Sequence, residues 1–476
     1  MKRGSNVKIN YLYNLSYQIL AIITPLITTP YVARILDANG IGQYNYTQSI
    51  TYLFIMFVIL GTRSYAVREI AYCREDIKKR SIIFFEILEV KIVTFVLFSL
   101  AYFLFMSFYN QYRILFFILF LQMIAALLDI SWFFQGLEDF KKTVLRNCIV
   151  KITGIILILT CVKTADDLPI YALILCGTEL LGNISMWVYL PKIIKKVPLI
   201  ELFPKRHVKS VIILFLPSMA TYVYTSLDKV MLGILSNTEQ VGFYSQSERL
   251  IRLLVTILTS LGIVLVPRMA NLMKKGNWKE VKKYFTKSIQ FIFMVSMPMS
   301  FGLISVSDQF IPWFLGKDFF ASVSLLNILT PLILILGISG ISGQAVLVSM
   351  GKHKYYTYTV IVGACVNLAL NFLLIPNLQA KGAVIATVLA EGVVTILQLV
   401  GARKIVDLKK ILRLTYKYVI GALIMFGVLM EVKSIFNNMF IQITFGISVY
   451  SIFLLLVKDV LIYEVLNKLI WKLKKQ

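Results

Sequence analysis

Histidine is almost missing from this 476-residue chain: His207 and His353 are the only two, and both fall between apolar runs. The five cysteines (Cys73, Cys148, Cys161, Cys176 and Cys365) include no CxxC pair and lie in or near apolar runs. No zinc or haem site and no disulfide framework is therefore expected. Acid is scarce, 24 Asp and Glu against 49 Lys and Arg, for a net charge of +25. Long polar stretches are lacking too, with no gap between apolar runs much beyond about 20 residues. That leaves no room for a soluble catalytic domain, and no soluble domain to present a basic face to nucleic acid despite a pI near 9.7. Neither a sizeable outer loop nor an Asp-x-Asp motif is present, which argues against a membrane glycosyltransferase or polymerase.

What fills the chain is hydrocarbon. It is 58% hydrophobic, in apolar runs long enough to cross a bilayer. Fourteen spans are predicted, near 10–33, 40–62, 81–107, 112–135, 141–162, 168–190, 210–234, 239–266, 286–307, 320–349, 355–376, 381–401, 414–432 and 437–457. They are helical, because barrel strands would be half this length, so the fold class is an all-α polytopic membrane protein. The first run is too long for the core of a signal peptide and is read as retained.

The cations sort by gap. Thirty-eight of the 49 lie in the N-terminal stretch and in every second gap thereafter, and six (Arg34, Arg113, Lys163, Lys317, Lys381 and Lys433) lie in the alternate set. This predicts that the basic loops and both termini are cytoplasmic, and a missed or invented span would destroy the alternation. The gaps near 63–80 and 268–287 are basic and partly amphipathic, and are expected to lie along the inner leaflet, drawn to anionic lipid.

An internal repeat is visible. IGQYNYTQS at 41–49 and VGFYSQS at 241–247 each open the second helix of a six-helix unit, and each such helix ends in a long basic loop. Parallel repeats of this kind form two lobes about a cleft. The expected organisation is 1–209 (helices 1–6), 210–413 (helices 7–12) and 414–476 (helices 13–14 and a basic tail).

Ionisable groups inside a span are costly and usually face a cavity. On the eighth helix Ser245, Glu248, Arg249, Arg252, Thr256 and Thr259 form one stripe, with Glu248 and Arg252 spaced to pair. A guanidinium at that depth calls for an anion, an acid or water. The seventh helix offers Ser218, Thr221, Tyr222, Thr225, Asp228 and Lys229; the first, Asn10, Asn14 and Gln18; the second, Tyr44, Gln48 and Thr51. Glu86, Glu89 and Lys91 lie in the third helix, Lys151 in the fifth and Glu179 in the sixth, and Lys91 and Lys151 are candidates to line the cleft. Asn367, Asn371, Thr387, Glu391 and Thr395 make polar rows in helices eleven and twelve. Pro25, Pro30 and Pro217 are expected to kink the first and seventh helices. Gly337, Gly340 and Gly343 permit close packing or unwinding in the tenth.

The stretches PYVARILDANGIGQYNYTQS (30–49), GTRSYAVREIA (61–71), WFFQGLEDFKKTVLRN (132–147), LDKVMLG (227–233) and NLALNFLLIPNLQAKGAVIATVLAE (367–391) carry a resemblance across essentially the whole chain. The chain resembles the bacterial polysaccharide repeat-unit flippases, the Wzx-type O-antigen and capsule transporters, of the superfamily that includes MATE-type exporters. Asp37-Ala38 departs from the glycine-containing turn that the family shows after the first helix. The resemblance implies a V-shaped two-lobed bundle in the bacterial cytoplasmic membrane with a central cationic cavity. It implies a non-enzymatic flippase moving polyprenyl-diphosphate-linked oligosaccharide to the outer leaflet by alternating access, with membrane lipids, a polysaccharide polymerase and other assembly proteins as partners. It implies no cofactor, and leaves a coupling ion, proton or sodium, open. Arg249 and Arg252 match the diphosphate-holding cations, and Arg34 and Arg63 match more loosely, at the cavity's mouths. The rival of the same architecture is a cation-coupled drug exporter, which would use Asp228, Glu248, Glu179 and Glu391; Arg249 and Arg252 count against it.

Overall fold

The computed structural model describes residues 7–463, less the side chains of residues 7–19, 22, 199, 217, 220, 221, 223, 224 and 260–264. Among the described residues there are sixteen α-helices and no strand: α1 (Val7–Ile59), α2 (Thr62–Tyr72), α3 (Ile77–Phe108), α4 (Arg113–Leu128), α5 (Ser131–Gly136), α6 (Phe140–Cys161), α7 (Leu168–Trp187), α8 (Lys205–Leu235), α9 (Thr238–Lys274), α10 (Trp278–Phe314), α11 (Ser322–Leu329), α12 (Pro331–Ser339), α13 (His353–Leu378), α14 (Ala380–Gly401), α15 (Leu408–Ile435) and α16 (Met439–Leu456). The fourteen predicted spans fall largely on helix, although that near 112–135 is broken at Asp129–Ile130 and that near 320–349 is divided among α11, α12 and a π-helix. Ten helical stretches are long and apolar enough to cross a membrane by length and composition, among the described residues. α3, α8 and α9 have the length as well, and Glu86 and Lys91, Asp228 and Lys229, and Glu248, Arg249 and Arg252 lie within them.

The chain forms two compact units, Met1–Gly242 and Phe243–Gln476. In the first, α1 holds the first two spans in one helical run. Pro25 and Pro30 sit inside it with helical dihedrals, and the break comes at Asp37 (φ 53°, ψ −172°). That is backbone territory natural to glycine, and an L-residue there costs about 1–3 kcal/mol. Asp37 recovers part of this by capping the second half of α1, its Oδ1 accepting from Gly40 N at 2.9 Å. α2 buries Tyr65, Ala66 and Ile70 and turns Arg63 and Arg68 outward. The WFF run becomes α5, a wedge of three buried aromatics against Phe84 of α3, with Phe84 and Trp132 stacked at 5.6 Å.

In the second unit the 268–287 segment is formed by the end of α9, which runs on to Lys274, and the start of α10 at Trp278, with the chain reversing at Gly276. The reason is packing: Met269, Val281 and Phe285 are fully buried in a common core, and Arg268 stacks over the Tyr284 ring at 4.3 Å. The glycines of the tenth span do mark unwinding, as the helix widens to a π-helix over Gly340–Val348. α15 and α16 pack on α10, where Tyr450 donates to Met294 O at 2.9 Å and Lys433 pairs with Asp308 at 2.7 Å. Asp459, just past α16, is 1% exposed; it accepts from Tyr418 at 2.9 Å and pairs with Lys417.

Burial works against the Asp459 charge, yet Lys417, Tyr418 and the Ile462 amide hold its carboxyl below the usual carboxylate range. The stabilisation is thus present above an unfolded value of about 3.9 and lost as pH falls through the lower folded value. Acid-induced loosening of α16, followed by hydrogen exchange, is expected below about pH 4 and should lose that pH step in Asp459→Asn.

The paired repeat motifs meet within the first unit. A Cβ on Gly42 would lie 1.6 Å from Thr238 O, and one on Gly242 would lie 1.9 Å from Ala38 O. The contact is reciprocal, since each glycine faces the carbonyl four residues before the other. Asn39 Oδ1 accepts from Thr238 Oγ1 at 2.7 Å beside it. Backbones this close admit no side chain, so Gly42→Ala and Gly242→Ala should each cost about 1–3 kcal/mol. Thermal unfolding in detergent, followed by circular dichroism, reads the loss; an alanine variant as stable as the parent would contradict the contact.

Candidate functional site

The five cations inside predicted spans (Lys91, Lys151, Lys229, Arg249 and Arg252) meet different fates. Lys91 is 2% exposed, and its ammonium donates to Leu127 O at 2.8 Å and Asp129 O at 2.9 Å. These are carbonyls freed where α4 ends before α5, so Lys91 caps a helix terminus inside the first unit. Lys151 on α6 and Lys229 on α8 are half-buried, and Asp228 is buried. Arg34 on α1 and Arg63 on α2 are exposed. Arg63 has no carboxylate partner among the described residues; Tyr52 is within electrostatic reach of it and of Glu179.

The second-helix row splits. Gln48 donates to the Tyr44 hydroxyl at 2.8 Å and remains half-buried. Thr51 is fully buried, bonded to the Tyr102 hydroxyl at 3.0 Å. Asn14 and Gln18 lie on α1, with side chains outside the described residues, as does that of Thr221 on α8.

Three groups emerge that the spacing of residues along the chain did not reveal. Tyr52 and Tyr222 approach at 4.9 Å, and the Tyr222 hydroxyl donates to Ser49 O. Glu179, exposed though mid-span on α7, lies within electrostatic reach of Asp129, Gln122 of α4 and Arg146. Glu86, fully buried, accepts from Phe203 N at 2.7 Å and from Arg206, and bonds His207 Nε2 at 2.7 Å; His207 Nδ1 meets the Tyr65 hydroxyl at 2.7 Å. Its partners lie more than a hundred residues away, on the far side of a loop.

In the second unit the stripe on α9 is real but uneven. Ser245 and Glu248 are buried, Arg249 and Thr256 are exposed, and Thr259 is half-buried. Ile251 and Leu258, on the other side of the helix, are 0% and 1% exposed. Glu248 Oε1 accepts from Arg252 Nε at 2.7 Å, as the four-residue spacing predicts. That contact uses one edge of the guanidinium. Arg252 Nη1 and Nη2 have no protein acceptor among the described residues, and the side chain is 42% exposed at the middle of its predicted span. Nearby on α14, Thr387 bonds Tyr244 at 3.1 Å, while Glu391, 6% exposed, acts electrostatically on Arg252. Asn371 and Asn367 of α13 bond each other at 3.1 Å. The site is therefore a guanidinium fixed by one carboxylate, with two N–H₂ groups left to donate.

Cysteine substitutions test this face. Those at Arg249 and Thr256 should react with an aqueous thiol reagent, and those at Ile251 and Leu258 should not. Equal labelling of both pairs would remove the exposed stripe.

The fold defines a class. Over 95% of this chain and 99% of the other, the structure is similar to that of a lipid II flippase MurJ in an inward closed conformation, with a TM-score of 0.74 at 16% identity. It also resembles an inward-facing multidrug resistance MATE family transporter of the MOP superfamily, with a TM-score of 0.60 at 13% identity over 83% and 96% of the two chains. The molecule is a multi-span membrane protein of the transporter architecture these share. Residues 7–273 match the model of the polysaccharide biosynthesis protein family, and the chain belongs to that family; 214–373 also match the MatE model. Among curated proteins it is 24% identical over 386 residues to a "Putative O-antigen transporter" of Escherichia coli (strain K12), covering 80% of this chain and 93% of the relative.

Proposed function

We propose that the chain is a flippase for polyprenyl-diphosphate-linked oligosaccharide repeat units, of the O-antigen or capsule type. It carries them from the cytoplasmic to the outer leaflet by alternating access of two six-helix lobes, 1–209 and 210–413, with the basic loops and both termini on the cytoplasmic side of a bacterial inner membrane. The O-antigen transporter and lipid II flippase names of its relatives support the substrate class. The observation that carries the reading is Arg252, held at mid-span by Glu248 through Nε alone, with both terminal nitrogens available.

The chemistry follows from the passenger. A diphosphate and a hydroxyl-covered head cannot enter hydrocarbon without partners, whereas the prenyl tail can stay in lipid. The protein has to supply donors for the head only. A guanidinium grips two phosphate oxygens at once, and Glu248 sets the plane of that grip. Arg249, exposed one residue from Glu248, adds positive charge on the same helix. Arg34 and Arg63, both exposed, suit the entrance and exit of such a path. A cation-coupled drug exporter would need Glu248 as a free acid, and Arg252 occupies it.

The test is translocation of a diphosphate-linked oligosaccharide in proteoliposomes. Arg252→Ala should insert normally and lose about ten- to a hundredfold in rate, the worth of charge-assisted hydrogen bonds. Arg252→Lys should keep an intermediate rate, because a point charge replaces a fork. Transport by Arg252→Ala at the parent rate would overturn the assignment.

A further inference from the structure

A polar cavity lies within Met1–Gly242. It has a volume of about 550 Å³ and is built by three segments: the break in α1, the turn between α3 and α4, and the turn before α7. All three belong to the set of gaps poor in cations, which the charge pattern places at the outer face. The volume sits in the ordinary range of small-molecule sites, about 300–1,000 Å³.

The polar groups that reach this cavity are Asp37, Asn39, Gln43, Arg113 and Asp166. Four of them, all but Gln43, are exposed. The side chains of Gln43 and Asp166 make no hydrogen bond or ion pair among the described residues, and Arg113 touches only the ring of Phe117, at 6.0 Å. Asn39 spends its Oδ1 on Thr238 and keeps its amide hydrogens; Asp37 spends Oδ1 on Gly40 N and keeps Oδ2. Beneath them Leu115 and Leu168 form a buried apolar floor, and Tyr112 closes one side. Two acids with one arginine make neither a phosphate cradle nor a cation trap. Alternating planar donors and acceptors over an apolar floor suit a ring that has hydroxyls at its edge and C–H bonds on its face.

The backbone gives a second, independent sign. Six non-glycine residues have positive φ among the described residues, and two of them, Asp37 (53°) and Tyr112 (59°), line this one cavity. Such outliers collect where a side chain is needed in spite of strain. At Asp37 a helix cap does not account for it, because caps normally form with ordinary extended dihedrals. A glycine would sit there without strain, and the chain places a carboxylate facing the cavity instead.

We propose that this cavity is a sugar-binding site that takes a neutral pyranose of the oligosaccharide head on the outer side of the membrane. The proposal rests on the flippase reading and on its orientation. A head group held here is a delivered one, and its retention disfavours return through the protein.

The experiment is saturation-transfer NMR on the full chain in lipid nanodiscs, with the methyl glycosides of glucose, galactose and N-acetylglucosamine as probes. Transfer to at least one glycoside is expected, weakened about tenfold in both Asp37→Gly and Arg113→Ala, the loss typical of one hydrogen-bonding partner. Inorganic pyrophosphate should not compete. Asp37→Gly relieves backbone strain, so its helicity and elution should match the parent and a binding loss cannot be assigned to misfolding. The proposal is overturned by no transfer to any glycoside, by unchanged binding in both variants, or by displacement with pyrophosphate, which would put the sugar on the cationic stripe. Sugar binding with these losses, combined with no translocation by the parent protein in proteoliposomes, would keep the site and sink the flippase reading. Translocation without sugar binding would do the reverse.

Discussion

An ion inside hydrocarbon must be answered by another charge, by backbone dipoles or by water, and most of what is distinctive in this molecule follows from that demand. Lys91 is answered by the carbonyls at the end of α4, and the short helix α5 with its aromatic wedge is arranged beside that junction. Glu86 is answered by Arg206, His207 and a backbone amide, which fastens the start of α8 to α3. Arg252 is answered by Glu248 on one edge only. The first two are closed arrangements that hold helices. The third is open, and an open cation at mid-span is what an anionic passenger requires.

Close backbone approach is the complementary device. The reciprocal contact of Gly42 with the Thr238 carbonyl and of Gly242 with the Ala38 carbonyl lets two helix starts touch without side chains between them. Just beyond it, the break at Asp37 within α1 opens into the polar cavity. Tight backbone and strained backbone thus alternate within a few residues, the one giving rigidity and the other placing a carboxylate. The guanidinium of Arg252, open on one edge, and the polar cavity beside Asp37 present different chemistry, the one charged and the other a mix of amide, carboxylate and arginine.

The sequence by itself determined the class. Hydropathy runs are a one-dimensional signal, because the bilayer imposes a fixed length on each span, and so the predicted spans fall largely on helix. The Glu248–Arg252 pair was legible for the same reason, four residues on one helix being local geometry. Tertiary structure decided what the other charges do. Lys91 and Arg252 look alike along the chain, yet one caps α4 and the other stays half-exposed, since a capping carbonyl comes from a helix end some forty residues away. The 268–287 segment is amphipathic in sequence, and which apolar residues its helices bury, Met269, Val281 and Phe285, was decided by the core they pack into. The polar cavity of the first unit depends on three turns far apart in the chain and on two positive φ angles, neither of which hydrophobic pattern encodes. Local spacing and membrane thickness can be read in one dimension; the partner of a buried charge is a matter of which distant segment folding brings beside it.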